Sequence, residues 1–365
     1  MTRRAATIQG LLALAGLVAA YLTWQREPSL ESGQAYVLDI TKSELQTVRY
    51  EELDRVAPSK APDDKTATPP PEIKVRDWVE LSSTTLDDGR AVWVRLAGRG
   101  GASVDLPSGH PVVQTAIPER TVRGNDGADK LWTLFAPLKA SRALGVLDAD
   151  KLKDLGLAEP KKRVTVTYKG ITKTFDLAPP PPGGTEPYVR DVEDGQVYIV
   201  ARQILTDFQA ARSNLVERKL HAFALQDIDK LVITANGKKK EFQFRRFENR
   251  PGGDLLPAET PDKPDQTAGN WHDRVFALFP ADVLGKDEKP ASGEPTVVVR
   301  VEYFYRGKPL GHLDLARVGA SSAGSEGSTP TGEVLARSEY SAGWMTLAVD
   351  AQALVAEGES LFGGS

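Results

Sequence analysis

The chain has 365 residues, 40% of them apolar and 26% charged, with a formal net charge of −4 and no cysteine. That length allows two or three domains with a sizeable core. The lack of cysteine excludes disulfides, thiolate zinc sites, thiol nucleophiles and lipid acylation near the N-terminus, and the balanced, interspersed charge excludes the clustered positive face that a phosphate backbone requires. No nucleic-acid partner is expected.

After Arg3 and Arg4 the chain is uncharged from Ala5 to Trp24, up to Arg26. That is about the 20 residues a helix needs to cross roughly 30 Å of hydrocarbon. Tyr21 and Trp24 stand where aromatic rings favour the interface, and the two arginines flank the other end. The run predicts an uncleaved single-pass anchor in the inner membrane, with a cytoplasmic N-terminus and the rest of the chain periplasmic or otherwise extracytoplasmic. Val18-Ala19-Ala20 offers the competing reading of a cleaved signal peptide, but the apolar run continues past it. The expected organisation is an anchor over residues 1–26, a first lobe over 27–220 with Pro-rich inserts and a second over 221–365.

Tyr36 to Glu52 reads as one or two strands, and Ala57 to Glu72, with the triplet Pro69-Pro70-Pro71, as an extended loop. Strands follow at Ile73 to Leu81 and Ala91 to Leu96 around the turn pair Asp88-Gly89. Helical spacing begins near Lys130 with Leu131, Leu134 and Phe135 and stops at Pro137. Asp148 is the expected N-cap of a short helix to Leu155, closed by Gly156.

A hairpin from Arg163 to Leu177 comes next, then an insert from Ala178 to Pro187 and a strand from Gln196 to Val200. Ile204, Phe208, Ala211 and Leu215 predict one helix from about Arg202 to Glu217. Asp227 to Phe247 forms a hairpin around Asn236-Gly237, the strongest short hairpin signal. Asn249 to Asn270 reads as a long surface loop and Gly319 to Gly332 as a Ser/Gly linker.

Several segments answer one another. Lys162 to Gly170 matches Val298 to Gly307, both alternating runs that end in a basic residue and glycine. Asp176-Leu177-Ala178 matches Asp314-Leu315-Ala316, Gly195 to Ile199 matches Gly343 to Leu347, and Leu131 to Pro137 matches Val275 to Pro280. Recurrence at apolar and turn positions indicates a duplicated unit. The fold class is therefore α+β: an N-terminal transmembrane helix, then two related lobes of mostly antiparallel hairpins, each packed with a helix.

Chemistry-bearing motifs are sparse. His110, His221, His272 and His312 lie far apart in sequence with no metal-ligand spacing, so neither a metal nor a cofactor is expected. Gly98-Arg99-Gly100-Gly101 departs from a nucleotide fingerprint at Ser103 and reads as a turn. Asp87-Asp88, Asp126 with Asp129, and Glu186 with Asp191 read as solvated loop carboxylates. The lysine-rich runs at Lys161 to Arg163 and Lys238 to Lys240 read as solvated strand ends. Trp78, Trp93, Trp132, Trp271 and Trp344 read as core or interface anchors. No catalytic residue is assigned and no enzymatic activity is expected.

Asp154 to Pro160 followed by Val164-Thr165-Val166 resembles a domain-of-unknown-function family of single-pass bacterial membrane proteins associated with gliding-motility-type ABC transporters. Trp132 to Pro137, Tyr188 to Arg190, Val197 to Val200 and Leu215 to Ile233 extend the resemblance over about Ala128 to Phe247, together with the anchor and first strands. Its pattern carries no catalytic residue to transfer. The resemblance implies a non-enzymatic extracytoplasmic accessory protein of an ABC-type transporter or other envelope complex. Two alternatives remain open: a tethered periplasmic module binding a polysaccharide or other ligand between the lobes, and an envelope hydrolase using two carboxylates.

Overall fold

The computed structural model describes residues 34–56, 72–86, 89–99, 116–247, 252–319, 333–349 and 351–362. The expected anchor, Ala5 to Trp24, lies outside them, as do residues 57–71 of the Pro-rich loop, Asp87-Asp88, Gly100-Gly101 and His110. Among the described residues no helix is long and apolar enough to cross a membrane.

The described chain is mostly antiparallel β, with few helices, in sheets of ten and eight strands. The first sheet contains β1 (Ala35–Leu38), β2 (Leu45–Val56), β3 (Glu72–Leu86), β4 (Gly89–Arg99), β5 (Ala116–Arg123), β6 (Leu138–Val146), β7 (Lys162–Tyr168), β8 (Ile171–Ala178), β9 (Tyr188–Asp191) and β10 (Gln196–Val200). Its order is β1-β6-β10-β9-β8-β7-β2-β3-β4-β5. The second contains β11 (Lys230–Ala235), β12 (Lys238–Arg246), β13 (Gly253–Pro257), β14 (Pro280–Val283), β15 (Thr296–Tyr305), β16 (Lys308–Val318), β17 (Glu333–Ser338) and β18 (Met345–Leu347). Read from its β14 edge, the order is β14-β18-β17-β16-β15-β11-β12-β13. Pairing β6 with β14, β10 with β18 and so on to β4 with β13 matches every strand of the second sheet. Only β1 and β5, at the two edges of the first, are left over.

The helices obey the same correspondence. In the first half, α1 (Asp126–Leu134) leads into β6 and α3 (Gln203–Gln209) leaves β10; in the second, α5 (Gln266–Phe276) leads into β14 and α6 (Gln352–Ser360) leaves β18. An Asx residue caps each leading helix. Asn125 Oδ1 accepts from Ala128 N at 3.2 Å and Asp265 Oδ1 from Ala268 N at 3.0 Å, satisfying donors the first turn leaves free. Both alanines are fully buried. The short α2 (Ala149–Asp154) has its expected cap, Asp148, which accepts from Lys151 N at 2.9 Å, and Gly156 sits at φ +72° beyond its end.

Helices cover one face of each sheet. Leu131, Trp132 and Phe135 of the first half join Ile204 and Phe208 over the strands, and Tyr50 stacks on Phe208 at 5.2 Å. In the second half Trp271 packs so closely on Gly358 that a Cβ there would stand 2.8 Å from the indole, and Trp271 Nε1 donates to Leu354 O at 2.7 Å. Most buried apolar side chains of both sheets join in one core, and Leu157, Ala178 and Val197 form a small separate cluster.

Two expectations are corrected. The single helix from Arg202 to Glu217 is α3 followed by a separate α4 (Ala211–Asn214), because Ala210 leaves the helical region at φ −106°, ψ 27°. Each half also has more than one helix, α1 with α3 in the first and α5 with α6 in the second. The loop from Asn249 to Asn270 contains β13 and the start of α5. Gly269 and Asn270 weaken the helical signal there, and the Asp265 cap together with the burial of Ala268 and Trp271 overrides it.

Three hairpin turns share one conformation. Lys169-Gly170, Asn236-Gly237 and Arg306-Gly307 all have both central residues at positive φ, from 48° to 76°, the mirror-image turn that matches strand twist. A Cβ at Gly237 would meet nothing within 4 Å, so replacing that glycine carries only a conformational cost. Gly237→Ala is expected to lower stability by about 1 kcal/mol, read as a shift in the urea midpoint at constant slope. An unchanged midpoint would show that the turn is not held in this geometry.

Candidate functional site

An exposed sheet edge carries unpaired amide groups. At β5 the connector between the sheets takes up part of that edge. Glu217 N donates to Arg123 O at 2.9 Å, Asn125 N to Leu215 O at 2.9 Å and Asn125 Nδ2 to Val216 O at 3.2 Å. Gly124 fits because it has no side chain, since a Cβ would lie 2.7 Å from that of Ala128. From the other half, Lys286 N donates to Thr121 O at 3.0 Å, and Arg120 bridges Asp282 and Glu288, each at 2.7 Å.

This junction leaves a pocket of about 380 Å³ between the halves. It is lined by Asn125, Ser213, the connector from Val216 to Leu220, and His221, Phe223, Phe276, Leu278 and Phe279. Glu217 is buried and its Oε1 accepts from the backbone amides of Arg218 and Lys219, both at 2.8 Å. Arg218 donates to Arg212 O at 3.4 Å, while its Nε is buried without a partner among the described residues. Phe279 is 56% exposed. The pocket thus joins an apolar wall to a cationic rim. No tryptophan lines it.

Behind its wall lies a cluster of aromatic rings and histidines. His221 stacks on Phe276 at 5.1 Å and meets the edge of Tyr303 at 5.0 Å; His272 lies 5.9 Å from Phe276 and 5.8 Å from Tyr303. His221 Nδ1 is 3.3 Å from Glu339 Oε1. His221 Nε2, both ring nitrogens of His272 and the Tyr303 hydroxyl are buried without hydrogen-bond partners among the described residues. Burial, and secondarily His221, pushes His272 down to about 3, and burial raises the Tyr303 hydroxyl. The sequence separates these two histidines, and the fold brings them against the same rings. Nothing at either histidine signals that meeting, because β15 and α5 supply the shared surface. His312 has its Nε2 3.8 Å from Asp314, and its backbone amide donates to Glu339, the carboxylate that faces His221. Among the described residues no group of three or more His, Asp or Glu is placed to hold a metal.

The repeat carries charge as well as scaffold. Asp176 pairs across strands with Arg163 on one side and Arg190 on the other, and Asp314 in the same way with Arg300 and Arg337. Arg163 reaches the Asp176 carboxylate at 2.8 Å; Arg300 and Arg337 each reach that of Asp314 at 3.3 Å. Both carboxylates are buried. The matched Asp-Leu-Ala triplets contained this signal, but the arginines lie on other strands and only register aligns them.

The remaining sequence candidates are dispersed. Asp126 and Asp129 occupy the first turn of α1, where burial and then Asp126 raise Asp129. Asp191 is buried against Lys173 at 2.8 Å rather than solvated, and Glu186 accepts from Ser141 at 3.3 Å. Trp132 and Trp271 are core residues. Trp78 is half-buried under the guanidiniums of Arg49 at 4.1 Å and Arg95 at 5.3 Å, and Arg337 lies 4.4 Å over Trp344. Within the lysine run, Lys238 and Lys240 reach the carbonyls of Phe362 and Leu361, both at 3.4 Å, at the C-terminal end of α6.

Residues 128–276 match the model of a domain of unknown function (DUF4340). The match begins in α1 and ends at the last residue of α5, its topological counterpart, so it extends beyond the expected Phe247 and includes strands of both sheets. Searches of curated proteins and of solved structures returned no match.

Two outcomes follow from this chemistry. The unfolded chain takes up a proton on His272 below its ordinary 6.5 whereas the folded protein stays neutral there until about 3. That residue therefore costs stability as pH falls through this window, at about 1.4 kcal/mol per unit, and costs none above it. Thermal melts at about pH 7.5 and pH 5 should show a smaller acid loss for His272→Phe than for the parent chain; equal losses would refute the assignment. At Asp314, replacing Arg300 and Arg337 together by alanine strands a buried carboxylate and should cost on the order of 3 kcal/mol in urea unfolding. Asp314→Ala leaves half-exposed arginines that can turn to water, and should cost less.

Proposed function

We propose that this protein is a non-enzymatic, single-pass accessory protein whose body lies outside the inner membrane and docks on an ABC-type transporter or another envelope complex. The apolar run from Ala5 to Trp24 supports the anchor, and the match over residues 128–276 is compatible with the family resemblance that suggests the transporter. The observation that carries the reading of a structural body is the commitment of sheet carboxylates to neighbouring cations. Asp176, Asp191 and Asp314 are all buried and paired. On the first sheet Arg49 also bridges Glu51 at 2.7 Å and Glu80 at 3.4 Å. Groups engaged in this way brace strands and are poorly placed for proton transfer or nucleophilic attack.

The two sheets are further read as copies of one unit. Their strand orders, leading helices and Arg–Asp–Arg rows coincide. The hydrolase alternative gains nothing from Asp191, bound to Lys173, or from Glu186, bound by Ser141. The ligand-binding alternative has one favouring observation, the pocket between the halves.

Crosslinking in intact cells, followed by detergent extraction of the membrane fraction and affinity purification of the full chain, tests the main reading. Recovery of a transporter permease or ATPase in the crosslinked product is expected. Recovery of the full-length chain from the soluble fraction, or of membrane material with neither transporter subunits nor another envelope protein crosslinked to it, would overturn it.

A further inference from the structure

Three features of the pocket between the sheets are unused by the fold. Phe279 exposes 56% of its surface at the pocket, although the neighbouring Leu278 is buried. His221 is 92% buried, is held through Nδ1 by Glu339 and leaves Nε2 without a hydrogen-bond partner among the described residues. With Nδ1–H facing Glu339, Nε2 is a buried acceptor, which a carboxylate cannot use. Finally, Lys219 is exposed, and Arg218 keeps a buried Nε without a partner.

The placement of the unpaired cations gives the sign of the ligand. Glu217 is the carboxylate in the pocket lining, and it is already engaged by the amides of Arg218 and Lys219. Glu339, the acid nearest His221, accepts from His312 N at 2.7 Å as well as facing the imidazole. Neither Arg218 nor Lys219 makes a side-chain ion pair with these acids among the described residues; Arg218 donates to Arg212 O instead. In the same lining Phe276, Leu278 and Phe279 offer an apolar wall. A cationic rim beside an apolar wall selects a molecule with an acidic head and an apolar body.

We propose that the pocket between the two sheets binds a small amphipathic carboxylate, with its head at Arg218 and Lys219 and its apolar portion against Phe276, Leu278 and Phe279. The site is half built by each sheet, so occupancy also couples the two halves. This assignment is independent of docking on a transporter, and neither depends on the other's outcome.

The test uses the full chain in lipid nanodiscs, with empty nanodiscs as blank, and three water-soluble probes of one shape: 4-phenylbutyrate, 4-phenylbutanol and 4-phenylbutylamine. Calorimetric titration should show saturable binding of the carboxylate, with the alcohol and the amine at least about tenfold weaker. Arg218→Gln with Lys219→Gln should remove that preference while leaving the alcohol unchanged, whereas Phe279→Ser should weaken all three probes. These rim residues are outside the core, and an unchanged melting temperature for each variant confirms that it is folded. Absence of saturable carboxylate binding, equal affinity for the three probes, or a preference that survives the double substitution would each overturn the proposal.

Discussion

The free edge of β5 imposes the constraint from which the relation between the two halves follows. A strand ending a sheet must satisfy its outward amides with water or with another segment, and here part of that demand is met by the chain's own connector and by Lys286. Because residues 215–217 run beside residues 123–125, the second half begins against the end of the first. Arg120 then bridges Asp282 and Glu288 across the same seam. The pocket, the buried Glu217 and the position of His221 all depend on this edge being covered. Gly124 permits the approach because any side chain there would meet α1.

The corresponding strands do not carry equivalent interiors. Register aligns Val166 of β7 with Tyr303 of β15, since each lies three residues beyond the arginine of its Arg–Asp pair. In the first half Tyr50 stacks on Phe208 and its hydroxyl reaches Glu52 at 3.0 Å, leaving that ring pair with its polar atom satisfied. In the second half a tyrosine hydroxyl and three imidazole nitrogens are buried without such partners. Polar atoms left this way weaken the side of the molecule that contains them. The first sheet is also larger, with β1 and β5 added at its edges. The two halves share a topology while differing in how their cores respond to protons.

The outward faces are braced by cross-strand ions rather than left as independent surface charges. An exposed ion pair contributes little because water competes with it, but Asp176 is withdrawn from water against the guanidinium of Arg163, and Asp314 against those of Arg300 and Arg337. A carboxylate in that setting opposes strand slippage. A one-residue shift would carry it to the apolar face and separate it from the cations beside it. The charge therefore acts on register, and it does so at the same place in both sheets.

The amino-acid sequence by itself determined the local pieces: the three glycine-containing hairpin turns, the Asp148 cap with its closing Gly156, and the alternation that buries Val164 and Val166. These depend on backbone sterics and on residues a few positions apart, so a linear reading reaches them. It also showed recurring segments, at positions that set burial. Where local propensity was weak, as around Gly269 and Asn270, or where Ala210 breaks an otherwise regular stripe, packing decided the element. Tertiary structure alone decided that His221 and His272 share one aromatic cluster, that arginines on both neighbouring strands align with each buried aspartate, and that residues 216–221, at the expected helix end and lobe boundary, line a pocket. Those arrangements arise from pairing register and from contacts between residues tens to more than a hundred positions apart, which no periodicity along the chain encodes.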